Sequence, residues 1–210
     1  MDWRTVQDYL MQLSQHDDPV LAEMEEVARQ THFPIIDRAA GKCCYLLCRL
    51  AKVRTVFEMG SGYGYSTAWF AMAVRDNGGG VVHHVVWDEE LSRKAQDYLR
   101  RMNLSEFVRF TVGEAIETLR NTTGLFGCIF VDIEKQDYPQ AVAVAKERLA
   151  LGGLLILDNM LLHGRIFDPD DHNPATEGIR KATEMIFNDP QFVATLLPIR
   201  DGLVVAMKVQ

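Results

Sequence analysis

The sequence predicts an α/β fold: a mostly parallel seven-stranded sheet with helices on both faces and an antiparallel hairpin at the C-terminal end. From residue 55 onward, apolar strand patterns alternate with helical patterns. Their intervals of about 20 to 28 residues are those that right-handed crossovers between parallel strands require. Near the C terminus, Arg200-Asp201-Gly202 separates two apolar runs, which is typical of a hairpin turn.

The individual strands are predicted from short apolar runs bounded by polar or glycine-containing segments. The parallel strands are expected at 55–59, 81–86, 108–112, 127–131 and 153–157, and the hairpin strands at 192–197 and 203–208. Helices are expected in the gaps between the parallel strands and at 176–188.

The N-terminal third of the chain is predicted to be helical. One helix is expected at 2–13, a second after Asp18-Pro19, where an N-cap residue precedes a proline, and a third at 35–52. The length of 210 residues suits a single domain. We interpret residues 1–210 as that domain, with 1–32 as an N-terminal helical appendage and 33–210 as the α/β core.

Composition and charge exclude several classes of protein. Twenty-nine acidic and 22 basic residues give a net charge of −7, which disfavours broad contact with nucleic acid or anionic lipid. No apolar run reaches the roughly 18 residues of a membrane helix, and the first residues are too polar for a signal peptide. A cytoplasmic location is expected. Cys44 and Cys48 share a helix face, where packing in the core is favoured over zinc binding.

A glycine-rich loop follows the first predicted strand. It reads Glu58-Met59-Gly60-Ser61-Gly62-Tyr63-Gly64-Tyr65-Ser66-Thr67. Glycines after a strand allow close backbone approach to a ligand, and the following helix offers free N–H groups. Tyr65 stands where a dinucleotide fingerprint needs its third glycine, and Glu58 would repel a pyrophosphate. A cationic, adenosine-bearing cofactor fits better; the alternative is a structural glycine turn.

Oxygen-bearing side chains follow two later strands. Asp132 comes directly after the fourth strand, and Asp158-Asn159 after the fifth. Open α/β sheets build their sites at the carboxyl ends of such strands. Two carboxylates and an amide oxygen suit a hard cation such as Mg²⁺. Helix capping by Asp132 and a turn at Asp158-Asn159 remain the alternative. Lys135 lies three residues beyond Asp132, where it is either a proton acceptor or a solvated side chain.

Taken together, four motifs resemble one family. They are Glu58-x-Gly60 to Ser66, Phe130-Val131-Asp132-Ile133-Glu134-Lys135-x-x-Tyr138, Gly152-Gly153 to Asp158-Asn159 and Gly164, and Leu197-Pro198-Ile199-Arg200-Asp201-Gly202. In this order and spacing they resemble the cation-dependent O-methyltransferases of the caffeoyl-coenzyme A and catechol type, over residues 33–208. Glu134 stands in place of the family's more usual aspartate. The segment Arg180-Lys181-Ala182-Thr183 lacks the family's aromatic-Asn pair, so substrate contacts from that helix are not transferred.

The resemblance implies a Rossmann-like class I methyltransferase fold that uses S-adenosylmethionine and a divalent cation, with Mg²⁺ as the expected ion. The implied cofactor contacts are Glu58, Gly60, Ser61, Gly62, Ser66, Ala115 and Asp132. The implied metal ligands are Asp132, Asp158 and Asn159. Lys135 would lie next to the acceptor hydroxyl, and relatives are commonly homodimers.

We therefore interpret the chain as an S-adenosylmethionine-dependent O-methyltransferase acting on a small aromatic vicinal diol. Lys135 and Asp132 are the predicted catalytic residues, with Lys135 accepting the proton. Two alternatives stay open. One is a tRNA methyltransferase acting on a hydroxylated base, for which Arg93, Lys94, Arg100 and Arg101 could form a local basic face. The other is a cofactor-binding protein without catalysis.

The end of the second strand departs from the class I pattern. An acidic residue there usually binds the ribose hydroxyls, and this chain has Val86 at the position. A valine accepts no hydrogen bond. Asp88, two residues later, points to the same side if the strand continues and is predicted as the replacement, with Trp87 flanking the adenine. The alternative is that Asp88 caps the helix that begins near Glu89.

Overall fold

The computed structural model describes residues 3–210, so the predicted helical position Asp2 lies outside the described residues. Within them the α-helices are Trp3–Leu13 (α1), Pro19–Thr31 (α2), Arg38–Leu50 (α3), Tyr65–Asp76 (α4), Glu89–Arg101 (α5), Ala115–Asn121 (α6), Tyr138–Arg148 (α7) and Pro174–Phe187 (α8). The strands are Thr55–Met59 (β1), Val81–Val86 (β2), Val108–Val112 (β3), Phe126–Val131 (β4), Leu149–Leu157 (β5), Phe192–Leu197 (β6) and Leu203–Lys208 (β7).

The strands form one seven-stranded sheet in the order β3-β2-β1-β4-β5-β7-β6. β1 to β5 run parallel to one another, while β7 is antiparallel to both β5 and β6. The predicted fold class is therefore confirmed, including the C-terminal antiparallel hairpin. The order reverses between β1 and β4. Their carboxyl ends therefore border the crevice where open α/β sheets bind ligands.

Several boundaries differ from the prediction, and the largest differences are at the starts of β5 and α3. β5 begins at Leu149 instead of residue 153, and its pairing with β4 is irregular between Phe126 and Cys128. α3 begins at Arg38 instead of residue 35 because Asp37 is its N-cap, with the Ala40 amide donating to Asp37 Oδ1 at 2.8 Å. Neither shift moves a predicted site residue off its loop.

The sheet separates two apolar cores. Alternate side chains of β1 point to opposite faces, so Val56 lies in the core beneath α2 to α5 and Phe57 in the core beneath α6 to α8. Both side chains are fully buried. The sheet is therefore the rigid middle layer on which the loops of the crevice are mounted.

The second helix, which lies within the segment 1–32 interpreted as an appendage, packs into the apolar core. Leu21 and Met24 of α2 are buried in the same apolar core as Val56. By contrast, α1 contains no buried residue between Trp3 and Leu13. Amphipathic periodicity predicts a helix but does not name the surface that its apolar face covers.

The cysteines of the helical layer pack in the core, as predicted. Cys44 and Cys48 of α3 and Cys128 of β4 are free thiols with no solvent exposure. Burial raises the pKa of the Cys44 thiol well above its ordinary value. Within residues 3–210, no helix is long and apolar enough to cross a membrane.

Candidate active site

The loop after β1 touches the loop after β4 at Gly60. Its φ is +86°, and a Cβ atom there would lie 2.0 Å from the carbonyl oxygen of Asp132. The Asp132 amide in turn donates to the Met59 carbonyl at 2.9 Å. Only glycine permits this backbone approach. The contact places the glycine-rich loop directly beside Asp132, so the first predicted motif and the second lie in one site.

The Glu58 carboxylate lies beneath this loop with no solvent exposure. Ser66 Oγ donates to one of its oxygens, and Thr67 Oγ1 donates to the other at 2.5 Å. Thr67 Oγ1 is also 3.0 Å from Nδ1 of His84. Because the Thr67 hydroxyl donates its proton to Glu58, His84 Nδ1 is the donor in this second hydrogen bond. Burial lowers the pKa of His84 to about 3, so its ring is neutral. Glu58 thus ties the first turn of α4 to the sheet.

Ser61 also forms hydrogen bonds within the protein. Its Oγ accepts from the Val85 amide at 2.9 Å, and its own amide donates to the Val85 carbonyl at 3.1 Å. The hydroxyls of Ser61 and Ser66 and the carboxylate of Glu58 are therefore committed to internal hydrogen bonds. Gly60, Ser61, Gly62 and Ser66 border a narrow space at the mouth of the loop. Their predicted cofactor contacts stay a prediction.

Replacement of Glu58 by glutamine should stabilise the protein at alkaline pH. Burial raises the pKa of Glu58 from 4.5 to about 7. A folded-state pKa above the unfolded value means that stability is lost as pH rises from about 4.5 through about 7. Glutamine carries no charge, so the variant loses no stability in this way. In the wild type the loss of stability amounts to about 3 kcal/mol for a pKa shift of this size. Thermal denaturation at pH 5 and pH 8 measures the difference.

The melting-temperature advantage of Glu58→Gln over the wild type should be larger at pH 8 than at pH 5. Glu90→Gln, which changes an exposed carboxylate, should show no such pH dependence. An advantage of equal size at both pH values would contradict the prediction.

Asp158, at the end of β5, is fully buried. Its Oδ2 accepts a hydrogen bond from Arg200 Nη1 at 2.7 Å, while its Oδ1 has no hydrogen-bond partner. Burial, followed by repulsion from the Asp132 carboxylate, raises the pKa of Asp158 to about 7, and Arg200 opposes the shift. The Tyr138 hydroxyl lies 3.0 Å from the Asp158 carbonyl and 3.2 Å from the Val131 carbonyl, which fixes the ends of β4 and β5 together.

Lys135 and Asp132 form an ion pair in the short turn after β4. Lys135 Nζ donates to Asp132 Oδ1 at 2.7 Å and to the Ile133 carbonyl at 3.1 Å. Both side chains are largely but not fully buried. The predicted catalytic pair therefore lies together at the crevice, with the lysine bonded to the aspartate.

Asn159 adopts a left-handed backbone conformation with φ of +58°. Its Nδ2 is 3.4 Å from Oδ2 of Asp201, so the amide nitrogen turns toward Asp201. Oδ1 of Asp201 accepts from the His163 amide at 2.7 Å. Asp201 is itself buried and holds the loop that carries Asn159.

Two cavities meet at this site. One of about 430 Å³ is bordered by Gly60, Gly62, Trp87, Asp132, Lys135 and Asn159. The other, of about 800 Å³, is bordered by Trp3 and Gln7 of α1 and by Phe167. His163, Arg200 and Asp201 border both cavities. The site therefore has room for a cofactor beside the glycine-rich loop and for a second molecule next to it.

Asp88 and Ala115 have evident structural roles. The Leu91 amide donates to Asp88 Oδ1 at 2.8 Å, so Asp88 caps α5, as the alternative for this residue stated. Within residues 3–210, the smaller cavity is bordered near the end of β2 by Val86, Trp87 and Leu91. Ala115 is buried at the start of α6. Their predicted contacts with the cofactor stay predictions.

The donor set of the predicted cation site can be tested for fit. Within residues 3–210, no group of three His, Cys, Asp or Glu side chains could hold a metal ion. The predicted set has only two carboxylates and relies on the Asn159 amide oxygen. The unpartnered Oδ1 of the buried Asp158 is the feature that favours a cation, because a buried oxygen without a partner is costly. The residues therefore fit a cation with oxygen ligands.

Two further residues, which are not predicted as site residues from the sequence, contact the predicted cation ligands. Arg200 bonds to Asp158, and Asp201 positions Asn159. The local pattern indicates only a hairpin turn at both residues, although they belong to one of the motifs on which the family resemblance rests.

Known sequences resemble the chain over almost its full length. A family model described as O-methyltransferase matches residues 11–209. A catechol O-methyltransferase of Niastella koreensis is 27% identical over 98% of this chain and 97% of that protein. A putative O-methyltransferase of Mycolicibacterium smegmatis is 28% identical over 91% of both chains.

Solved structures share the fold. The O-methyltransferase TomG from Streptomyces achromogenes, in complex with S-adenosylmethionine, aligns with a TM-score of 0.87 and 27% identity, over 98% of this chain and 96% of that one. An O-methyltransferase from Bacillus cereus, in complex with S-adenosylhomocysteine, has the same TM-score and identity over 97% of both chains. With the family match, these findings establish that the chain belongs to the O-methyltransferase family and is an S-adenosylmethionine-dependent enzyme.

Proposed function

We propose that this O-methyltransferase transfers a methyl group to one hydroxyl of a small catechol-type substrate, with a divalent cation, Mg²⁺ in the first instance. The unpartnered Oδ1 of Asp158, fully buried next to Asp132, is the observation that carries the proposal. Asp132, Asp158 and Asn159 would hold the cation. Its positive charge, when bound, would lower the pKa of a neighbouring hydroxyl.

The smaller cavity is the proposed cofactor site. S-adenosylmethionine, when bound, supplies an electrophilic methyl group. The backbone of Gly60, Ser61 and Gly62 lines the side from which the cofactor would be held, and Trp87, 78% exposed at the rim, would cover an adenine ring. Glu58 acts beneath the loop, where it keeps the start of α4 in place.

Lys135 is the proposed proton acceptor. Its Nζ borders the cavity next to Asp132, within reach of a hydroxyl placed there. Only an unprotonated amine can accept a proton. The proposal therefore requires the transfer rate to increase with pH. Holding the hydroxyl and the methyl donor in line supplies much of the remaining rate acceleration.

The larger cavity is the proposed acceptor site. Trp3 and Phe167 provide aromatic surface there, and it joins the cofactor cavity at His163 and Arg200. The catechol O-methyltransferase of Niastella koreensis supports a substrate of this type. A cytoplasmic location and a homodimer complete the proposal; the four free cysteines and the family resemblance support them.

Removal of divalent cations should abolish methyl transfer, and added Mg²⁺ should restore it, while S-adenosylhomocysteine binds throughout. The measurement combines a methyl-transfer assay in excess chelator with calorimetric titration of S-adenosylhomocysteine. Catechols, hydroxycinnamoyl thioesters and unmodified tRNA serve as parallel acceptors. Full activity in excess chelator would contradict the cation, and methylation of tRNA alone would contradict the catechol substrate.

A further inference from the structure

The Arg200 guanidinium forms a hydrogen bond with one carboxylate oxygen of Asp158, a predicted ligand of the cation. Its Nη1 donates to Asp158 Oδ2 at 2.7 Å, and the Asp158 side chain is fully buried. The other oxygen of the same carboxylate has no partner. One face of Asp158 is therefore neutralised by the protein and the other is free.

The backbone of Arg200 is held in an uncommon conformation that aims the side chain at Asp158. Its φ is +53°, in the left-handed region that favours glycine. The Arg200 amide donates to Gln7 Oε1 of α1 at 2.9 Å, and Gln7 Nε2 is 3.4 Å from the Pro198 carbonyl. The placement of the guanidinium is therefore built into the β6–β7 turn and its contact with α1.

The two carboxylates of the predicted cation site are each paired with a cationic side chain of the protein. Asp132 pairs with Lys135, and Asp158 pairs with Arg200. A divalent cation would add two positive charges beside two existing ones in a largely buried region, where like charges repel strongly. Binding of a cation to Asp158 is therefore opposed as long as the guanidinium remains there.

The larger cavity offers the Arg200 side chain a second position. Arg200 borders both cavities, and Asp37 lies on the wall of the larger one. The guanidinium can therefore leave Asp158 by rotation of its side chain while the Gln7 hydrogen bond keeps the backbone in place.

We propose that Arg200 competes with the divalent cation for Asp158 and so sets the cation concentration at which the site fills. The inference rests on the proposed function, because it takes Asp132, Asp158 and Asn159 as the cation ligands. Removal of the guanidinium should strengthen cation binding by roughly ten- to a hundredfold, the usual size of a coupling between two ligands.

The test measures Mn²⁺ binding to the full chain saturated with S-adenosylhomocysteine. The electron paramagnetic resonance signal of free Mn²⁺ reports how much of the ion remains unbound. Arg200→Met removes the charge, and Arg200→Gly removes it while relieving the left-handed backbone. Arg101→Met is the matched control, since Arg101 pairs with Glu23 outside both cavities.

Both Arg200 variants should bind Mn²⁺ more tightly than the wild type, and Arg101→Met should bind it with wild-type affinity. Equal or weaker binding by the Arg200 variants would overturn the competition. Asp132→Asn serves as the control for the cation site itself, and weaker Mn²⁺ binding by that variant would show that the site is intact. Absence of Mn²⁺ binding in every protein would instead overturn the cation site itself, and the inference with it.

Discussion

Replacement of Lys135 by methionine should lower kcat by about 10²- to 10⁴-fold, the usual cost of removing a general base. Methionine keeps the length and the apolar part of the side chain but cannot accept a proton. Affinity for S-adenosylhomocysteine should change much less than kcat, because the proposed role of Lys135 is to accept the proton of the acceptor hydroxyl. Steady-state kinetics and calorimetric titration separate the two effects.

Lys135→Arg is the decisive control. Arginine keeps the positive charge and the ion pair with Asp132, but it does not lose its proton in proteins. If Lys135 accepts the proton, both variants should be impaired, and the defect should shrink at high pH or with an electron-poor catechol. Near-wild-type activity of Lys135→Arg would show that the residue acts through its charge alone.

Replacement of Gly178 by alanine should impair both folding and catalysis. A Cβ atom at Gly178 in α8 would lie 2.2 Å from the Lys135 carbonyl oxygen and 2.8 Å from Gln136 Cα. Because these are backbone atoms, α8 or the Lys135 turn must move, although alanine normally favours a helix. We expect a loss of about 2 kcal/mol or more, and a melting temperature lower by at least roughly 5 °C.

The same change should lower kcat by roughly 10²-fold, since a shift of about 1 Å at a catalytic group has that effect. Lys181→Ala, at an exposed position of α8, is the control and should leave both quantities unchanged. Wild-type stability of Gly178→Ala would show that α8 yields without moving the turn.

The meeting of Asp132, Lys135, Asp158 and Asn159 could be predicted from sequence. β4 and β5 are adjacent parallel strands, and residues that follow adjacent parallel strands share one edge of the sheet. Local patterns give the strands, and the crossover rule gives their direction. The position of this part of the site therefore requires no knowledge of side-chain packing.

The place of Arg200 could not be predicted in this way. It reaches Asp158 across 42 residues, through a left-handed backbone angle that the sequence does not display. Glu58 is a different case, because it shares a strand face with Val56 and so points beneath α4. The alternation of side chains along β1 would have indicated an internal role for Glu58. A carboxylate at the end of a strand, however, also suits ligand binding.

The weak attachment of α1 has a consequence for how a substrate enters. Between Trp3 and Leu13 no residue is buried, and the hydrogen bonds of Gln7 join the helix to the β6–β7 turn. Helices gain most of their stability from packing, so we expect α1 to open locally at a lower free energy than the sheet. The chemistry is fixed by the rigid sheet, whereas one wall of the larger cavity is adjustable. With the acceptor in the larger cavity, as proposed, we expect the size of acceptor that the enzyme admits to depend on its N-terminal helix more than on its predicted catalytic residues.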